Sequence, residues 1–406
     1  MDKLKKIAAY PNIGLIILAY IAFIALGMPD GLLGVAWPSI RNDFSIPLDA
    51  LGFLITAATA GYLTSSFLSG LIVSRWGIGK VLSISCAMTG LALLSYTLVT
   101  DWWMMALLGT ISGLGAGGID AGLNNYVAAN FSERLMQWLH ASYGIGITLG
   151  PIIMTLSLSE LNSWRIGYRL VAFFQLALAI CFIASLPLWK LKKSSKNSED
   201  PDPQPEQKAP FIETLKQPQV WLSMALFLVY VGAEVSIGTW TYSLLTESRG
   251  IDKTLAGYFV SSFWATFTIG RIFGGIFVKK LGVNVLVQGS VAIALLGTFL
   301  LIWNPSEVVN LLAVALIGLA IAPVFPSLMS GTSRRVGSRF ATNTIGMQIT
   351  ATGLGAVVIP SLLGILARRF SLEVIPVCLV IVFSFLFCLY RLSIMKKKDI
   401  RRDNSL

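Results

Sequence analysis

Charge is what this sequence has least of. Only 13% of its 406 residues are Asp, Glu, Lys or Arg, against 55% that are hydrophobic. A soluble domain carries roughly a quarter charged residues. The deficit, with a mean hydropathy of +0.73, places the chain in lipid. Histidine occurs once, at His140, and cysteine four times, at Cys86, Cys181, Cys378 and Cys388. The cysteines are scattered through apolar stretches with no metal-ligand spacing, so they read as small buried hydrophobes. One histidine, no nucleophile motif and no metal cluster leave little from which to build an enzyme, and no cofactor is implied. A nucleotide-binding loop is missing too, which argues against ATP as a driving force. No cleavable leader is expected, because the first apolar run, from about Pro11, lacks a small-residue cleavage site and runs on too long.

What is there is a series of apolar stretches of about the 20 residues that a bilayer requires. Twelve are expected, at about 11–40, 49–74, 79–99, 102–131, 135–159, 164–189, 218–246, 254–278, 283–303, 307–332, 340–367 and 372–394. Short polar links join them, except for the polar, Pro-containing segment 190–217, "KLKKSSKNSEDPDPQPEQKAPFIETLKQ". That segment divides the chain six plus six. The expected fold is an all-α membrane protein of twelve transmembrane helices in two pseudo-symmetric six-helix bundles. One bundle covers 1–189, a cytoplasmic linker 190–217, and the second bundle with a basic tail 218–406.

The net charge of +11 is a topology signal rather than a nucleic-acid footprint. With the N-terminus inside, the inner segments hold Lys3, Lys5, Lys6, Arg75, Lys80, Arg134, the linker lysines, Lys279, Lys280, Arg334, Arg335, Arg339 and the basic tail. The outer segments hold only Arg41, Arg165, Arg169, Arg249, Lys253, Arg368 and Arg369. This bias sets both termini on the cytoplasmic side of the cell membrane.

The halves also repeat. Laying 51–77 over 256–282 brings Gly52 to Gly257, Gly70 to Gly275, Arg75 to Lys280 and Gly77 to Gly282. The same register sets Gly113 over Gly318, and four residues further apart Gly146 and Pro151 meet Gly355 and Pro360. Parallel repeats of this kind describe a large transporter architecture.

The stretch "GLIVSRWGIGKVL" (70–82) resembles the loop signature between helices two and three of the major facilitator superfamily. Gly70, Arg75, Gly77 and Lys80 match it, while Ser74 stands where an acid is usual. The resemblance implies a cytoplasmic gate with Arg75 and Lys80 in it, and a weaker latch where the acid is missing. "GITLGP" (146–151) resembles the Gly-Pro motif of helix five, without the glycine pair that usually follows. "GMPDGLLGVAWPSI" (27–40) and "LHASYGIGITLGP" (139–151) look like the fucose permease and sodium-dependent glucose transporter branch. In that branch acids on helices one and four serve proton coupling and sugar binding, and Asp30 and Asp120 occupy the matching places.

Ionisable groups within a bilayer are costly and mark transport pathways by default. Five lie inside the expected spans: Asp30, Asp120, His140, Glu234 and Arg271. Asp120 shares a helix face with Asn124 and Gly117 and is the first candidate proton carrier, a structural salt bridge being the alternative. Asn125 is turned away from that face and serves either a neighbouring helix or a substrate. His140, with Tyr143 on its face, reaches a depth similar to Asp120, so an acid–imidazole pair could exchange a proton near neutral pH. An ordinary hydrogen-bonding role is the other reading. Asp30 follows Met28-Pro29 and precedes Gly31, where a kink is expected. With Gly34 and Trp37 it makes a face suited to a sugar, or it caps a helix break. Glu234, with Trp240 at its edge, falls close to the place of Asp30 in the repeat. Arg271 pairs with a carboxylate, Glu234 being nearest by helix order, as a structural or gating pair or as the holder of an anionic substrate. Gln348 on helix eleven is a further hydrogen-bonding candidate.

Together these residues describe a monomeric secondary transporter moving a small polar solute, a sugar, by proton-coupled symport with alternating access. Sodium remains an alternative coupling ion, and proton-driven export of a drug-like molecule an alternative direction. Membrane lipid is the other partner; nucleic acid is not one.

Overall fold

Lipid offers no partner for a backbone N–H or C=O, so a chain this apolar crosses it as helices or as a closed barrel. The computed structural model describes residues 13–131, 133–189 and 209–403, and contains helices and turns but no strand among them. Residues 190–208 of the expected linker, and Lys3, Lys5 and Lys6, lie outside the described residues.

Six long helices make the first half: α1 (Ile13–Asp43), α2 (Leu51–Trp76), α3 (Ile78–Tyr96), α4 (Trp102–Asn130), α5 (Glu133–Leu161) and α6 (Trp164–Ala184). Six more follow: α7 (Pro218–Ser243), α8 (Lys253–Leu281), α9 (Val283–Trp303), α10 (Glu307–Ile321, continued in Val324–Ser330), α11 (Ser338–Arg369) and α12 (Val374–Asp403). Eleven of these regions are long and apolar enough to cross a membrane; the twelfth, α8, carries Arg271 in its interior. Asp101 and Asp252 cap α4 and α8 by accepting from the first free backbone N–H groups.

The chain divides into two compact units, 1–195 and 196–406. Inside the first, α1 packs along α5, α2 along α4, and α3 against α4 and α6. Inside the second the pairing recurs: α7 along α11, α8 along α10, and α9 against α10 and α12.

The repeated glycines explain the recurrence. A Cβ on Gly113 of α4 would sit 1.9 Å from the Ala58 carbonyl oxygen of α2. One on Gly318 of α10 would sit 2.3 Å from the Phe263 carbonyl of α8. Gly146 of α5 meets the Ile24 carbonyl at 1.9 Å, and Gly355 of α11 meets the Leu228 carbonyl at 2.1 Å. Backbones can approach this closely only where no side chain intervenes. The turns repeat as well: Gly77 and Gly282 both take positive φ, 79° and 76°, between a finished helix and the next one. That region is strained for residues with a Cβ.

The helix break that Asp30 would have capped is not there. Helix α1 runs unbroken through Pro29 and Pro38. Gly31 serves close packing instead, its missing Cβ lying 2.4 Å from the Ile147 carbonyl and 2.7 Å from the Pro151 ring.

At the far end of the second unit Arg249 ties four segments. Its guanidinium donates to Glu373 Oε1 and Oε2 (2.9 and 2.7 Å), Asn310 Oδ1 (2.8 Å) and the Leu301 carbonyl (2.8 Å). The arginine side chain is only 3% exposed, so removing its acid would strand a buried charge. These hydrogen bonds hold the Glu373 carboxyl below its ordinary range. A depressed carboxyl contributes stability above its unfolded value of about 4.3, lost as pH falls through the folded one. Glu373→Gln should therefore melt below the wild type at neutral pH, with the gap closing under acid conditions, read from Tm in detergent. The same measurement on Gly146→Ala should show a loss of about 1–3 kcal/mol or more from overpacking. Gly70→Ala, where nothing lies within 4 Å, should be neutral or gain up to about 1 kcal/mol.

Candidate functional site

The glycine contacts of the first unit bring four helices' polar side chains together. Gly117 of α4 lies against the backbone of Tyr62, its missing Cβ 2.3 Å from that carbonyl. With α2 this close, the Tyr62 phenol reaches across and donates to Asp120 Oδ2. Asn124, one turn further along α4, donates from Nδ2 to Asp120 Oδ1 at 2.9 Å and to the Asp120 carbonyl at 3.0 Å. On the neighbouring pair, Gly27 and Gly31 of α1 lie against Tyr143, Gly146 and Gly150 of α5. The Tyr143 hydroxyl then donates to Asp30 Oδ2 at 2.7 Å. His140 presents its ring to the edge of Phe23 with centroids 6.0 Å apart, and its charge acts on Asp120. Asp30 and Asp120 also act on each other electrostatically. Asp30 and His140 are exposed, and Asp120, Asn124 and Tyr143 are half-buried.

This cluster brings together five of the residues read from sequence: Asp30, Asp120, Asn124, His140 and Tyr143. Tyr62 was missed. A lone tyrosine in an apolar helix carries no signal of its own; its place against Gly117 is seen only in the packing. Tyr62 and Asp120 have Phe267 and Phe325 as counterparts 205 residues on, so the second unit repeats the packing without the acid.

The second unit has an ion pair instead. Arg271 Nη2 lies 3.6 Å from Glu234 Oε1, and the guanidinium covers the Phe267 ring at 4.3 Å. Tyr230, one turn before Glu234, donates to the Ile321 carbonyl at 3.0 Å. The expected partner of Arg271 is the one found.

Four residues read as substrate contacts stand elsewhere. Trp37 is fully buried, donates to the Leu48 carbonyl at 3.1 Å and packs on Trp102, so it fastens the end of α1. Trp240 is likewise buried and donates to the Pro360 carbonyl at 3.0 Å, joining α7 to α11. Gln348 is fully buried among Ser223 (2.6 Å) and Thr332 (3.1 Å). Aromatic and amide side chains look alike in sequence whether they face a cavity or close a helix junction; a backbone carbonyl engages the two tryptophans and a pair of hydroxyls engages Gln348. Asn125 is exposed and lies about 140° around α4 from Asp120, on the stripe that carries exposed Leu107. Arg75 and Lys80 are both exposed beside the Gly77 turn, and Ser74, in the acid's place, donates to the Leu71 carbonyl of its own helix at 2.8 Å.

Comparison with known proteins agrees with this architecture. The model of the Major Facilitator Superfamily matches residues 19–360. The glucose/mannose transporter GlcP of Bacillus subtilis is 24% identical over 358 residues, covering 86% of this chain and 87% of that protein. The human sodium-dependent glucose transporter 1 is 22% identical over 390 residues, covering 86% and 73%. Among solved structures, the nucleoside transporter NupG superposes with a TM-score of 0.74 at 15% identity, covering 94% of this chain and 98% of that one.

If Trp37 and Trp240 are fasteners, replacing either with Phe leaves a buried carbonyl unpaired. Each variant should lose about 1–3 kcal/mol of stability and keep its KM for transported solute; a several-fold rise in KM would return that tryptophan to the binding site.

Proposed function

The chain belongs to the major facilitator superfamily and is a multi-pass membrane transporter of solutes, not an enzyme, and from that premise we propose that it carries a small polar solute, a sugar, in symport with protons. The observation that carries this reading is the set of bonding partners of the two first-unit acids. Asp30 and Asp120 each accept from a tyrosine hydroxyl, and among the described residues no lysine or arginine is bonded to either. Two carboxylates inside an apolar bundle need compensation. His140, whose charge acts on Asp120, is itself titratable, so on this reading a proton held at Asp120 and His140 is the mobile charge that arrives with each cycle. His140 stands where it can exchange that proton with water.

Asp30, Tyr143 and Asn124 offer acceptors and donors of the kind a sugar's hydroxyls use. The sugar-transporting relatives support the same class of cargo. Glu234 is assigned a different part: its charge is met by Arg271, so it needs no mobile ion, and the pair serves to hold α7 against α8. In this scheme loading the proton prepares the site for sugar, the transporter changes its access, and both are released on the other side. The excess of Lys and Arg in alternate links supports an orientation with both termini in the cytoplasm, and on this reading the protein works as a monomer in the cytoplasmic membrane.

Purified protein in proteoliposomes, offered labelled glucose, mannose and fucose under an imposed pH gradient, tests this directly. Accumulation should follow the proton gradient. Asp120→Asn should abolish accumulation while leaving exchange of sugar across the membrane, and Tyr62→Phe should shift the pH dependence of uptake. Accumulation driven by a sodium gradient alone, or full coupling in Asp120→Asn, would sink the mechanism; efflux of an apolar compound in exchange for protons would replace it with export.

A further inference from the structure

A cavity of about 410 Å³ opens at the end of the second unit where α8 passes into α9, walled also by the short helix Thr332–Val336 and by α12. Its polar lining is Asn284, Arg334, Arg335, Tyr390 and Ser393. No carboxylate is among the described lining residues. Elsewhere arginines meet acids: Arg165 meets Asp43, Arg249 Glu373, Arg271 Glu234 and Arg339 Glu213. Here two adjacent guanidiniums meet none among the described residues.

The walls are built to present donors. Arg335 is anchored by bonds from Nη2 to the Leu328 carbonyl, Thr332 Oγ1 (3.3 Å) and Ser223 Oγ (3.4 Å). Its Nε is buried without a partner. Burial and the neighbouring Arg334 charge lower the Arg335 pKa to about 10, so it is still a full cation at neutral pH, and no carboxylate among the described residues pairs with it. The Tyr390 hydroxyl donates to Asn284 Oδ1 at 3.0 Å, which occupies the oxygen and leaves the amide nitrogen as the donor. Leu281 and Val285 on the same lining are more than half exposed, giving the site an apolar edge.

The first unit closes the equivalent place. A Cβ on Gly79, the counterpart of Asn284, would sit 3.0 Å from the Trp189 Cβ. That indole packs on Tyr126 and donates to Ser185. The opening is thus a property of one repeat and not of the shared fold.

We propose that this cavity binds a phosphate group, through Arg334, Arg335 and Asn284. Two guanidiniums and an amide match the several acceptor oxygens of a phosphate, which guanidinium forks bind bidentately. The group could arrive on an anionic lipid, whose acyl chains the apolar edge would meet, or on a soluble phosphate.

The test uses the full chain and two probes. Inorganic phosphate is titrated against chloride at matched ionic strength in detergent, and nanodiscs of phosphatidylcholine are compared with nanodiscs containing phosphatidylglycerol; Tm is read in both. A rise with phosphate alone identifies a soluble source, a rise with phosphatidylglycerol alone a lipid headgroup, and a rise in both a site that accepts either. Arg334→Gln, an exposed position, and Asn284→Ala should each keep the wild-type Tm without ligand and weaken the response about tenfold in concentration. No rise in either arm, or a rise that both variants retain in full, overturns the proposal.

Discussion

A glycine set directly against a carbonyl oxygen of the next helix is the contact on which the rest of this structure depends. In lipid the hydrophobic effect does not press helices together, so association rests on close packing and polar contacts. Gly113, Gly117 and Gly61 bring α2 and α4 to backbone contact, and Gly27, Gly31, Gly146 and Gly150 do the same for α1 and α5. Only at that separation can the Tyr62 phenol reach Asp120 and the Tyr143 phenol reach Asp30. The polar cluster is therefore a consequence of the packing.

The two units share this framework and use it differently. In the first, the acids accept from tyrosine hydroxyls, and the charge of an imidazole acts on Asp120. The second puts Phe267 and Phe325 at the matching positions and adds a fixed cation, Arg271, beside Glu234. On the proposed reading one repeat takes up and gives up charge, while the other pairs its acid with an arginine. The same division runs through the helix-end turns, where an indole fills one site and two arginines line the other.

Much of this was legible in the chain. Composition put it in lipid, run lengths gave the helices, and glycine register gave the repeat, because each follows from local chemistry that a single segment carries. The acids Asp30 and Asp120 were legible for the same reason: an ionisable group in an apolar helix stands out wherever its partner is. Tyr62 was not, nor were the roles of Trp37, Trp240 and Gln348. Nothing in an aromatic or amide residue tells whether it faces a cavity or a neighbour's carbonyl. Arg334 and Arg335 registered only as part of a topology signal, since the absence of a nearby acid is a fact of three dimensions.

The sequence by itself determined that this is a helical membrane protein of two repeated halves with charge buried in it, because hydropathy, helix length and glycine spacing act along the chain. What the tertiary structure alone decided is which of those buried groups meet. Hydrogen-bond partners more than a hundred residues apart, such as Tyr143 and Asp30, are chosen by how closely two helices approach, and that distance is set by contacts between backbones rather than by any one residue's character.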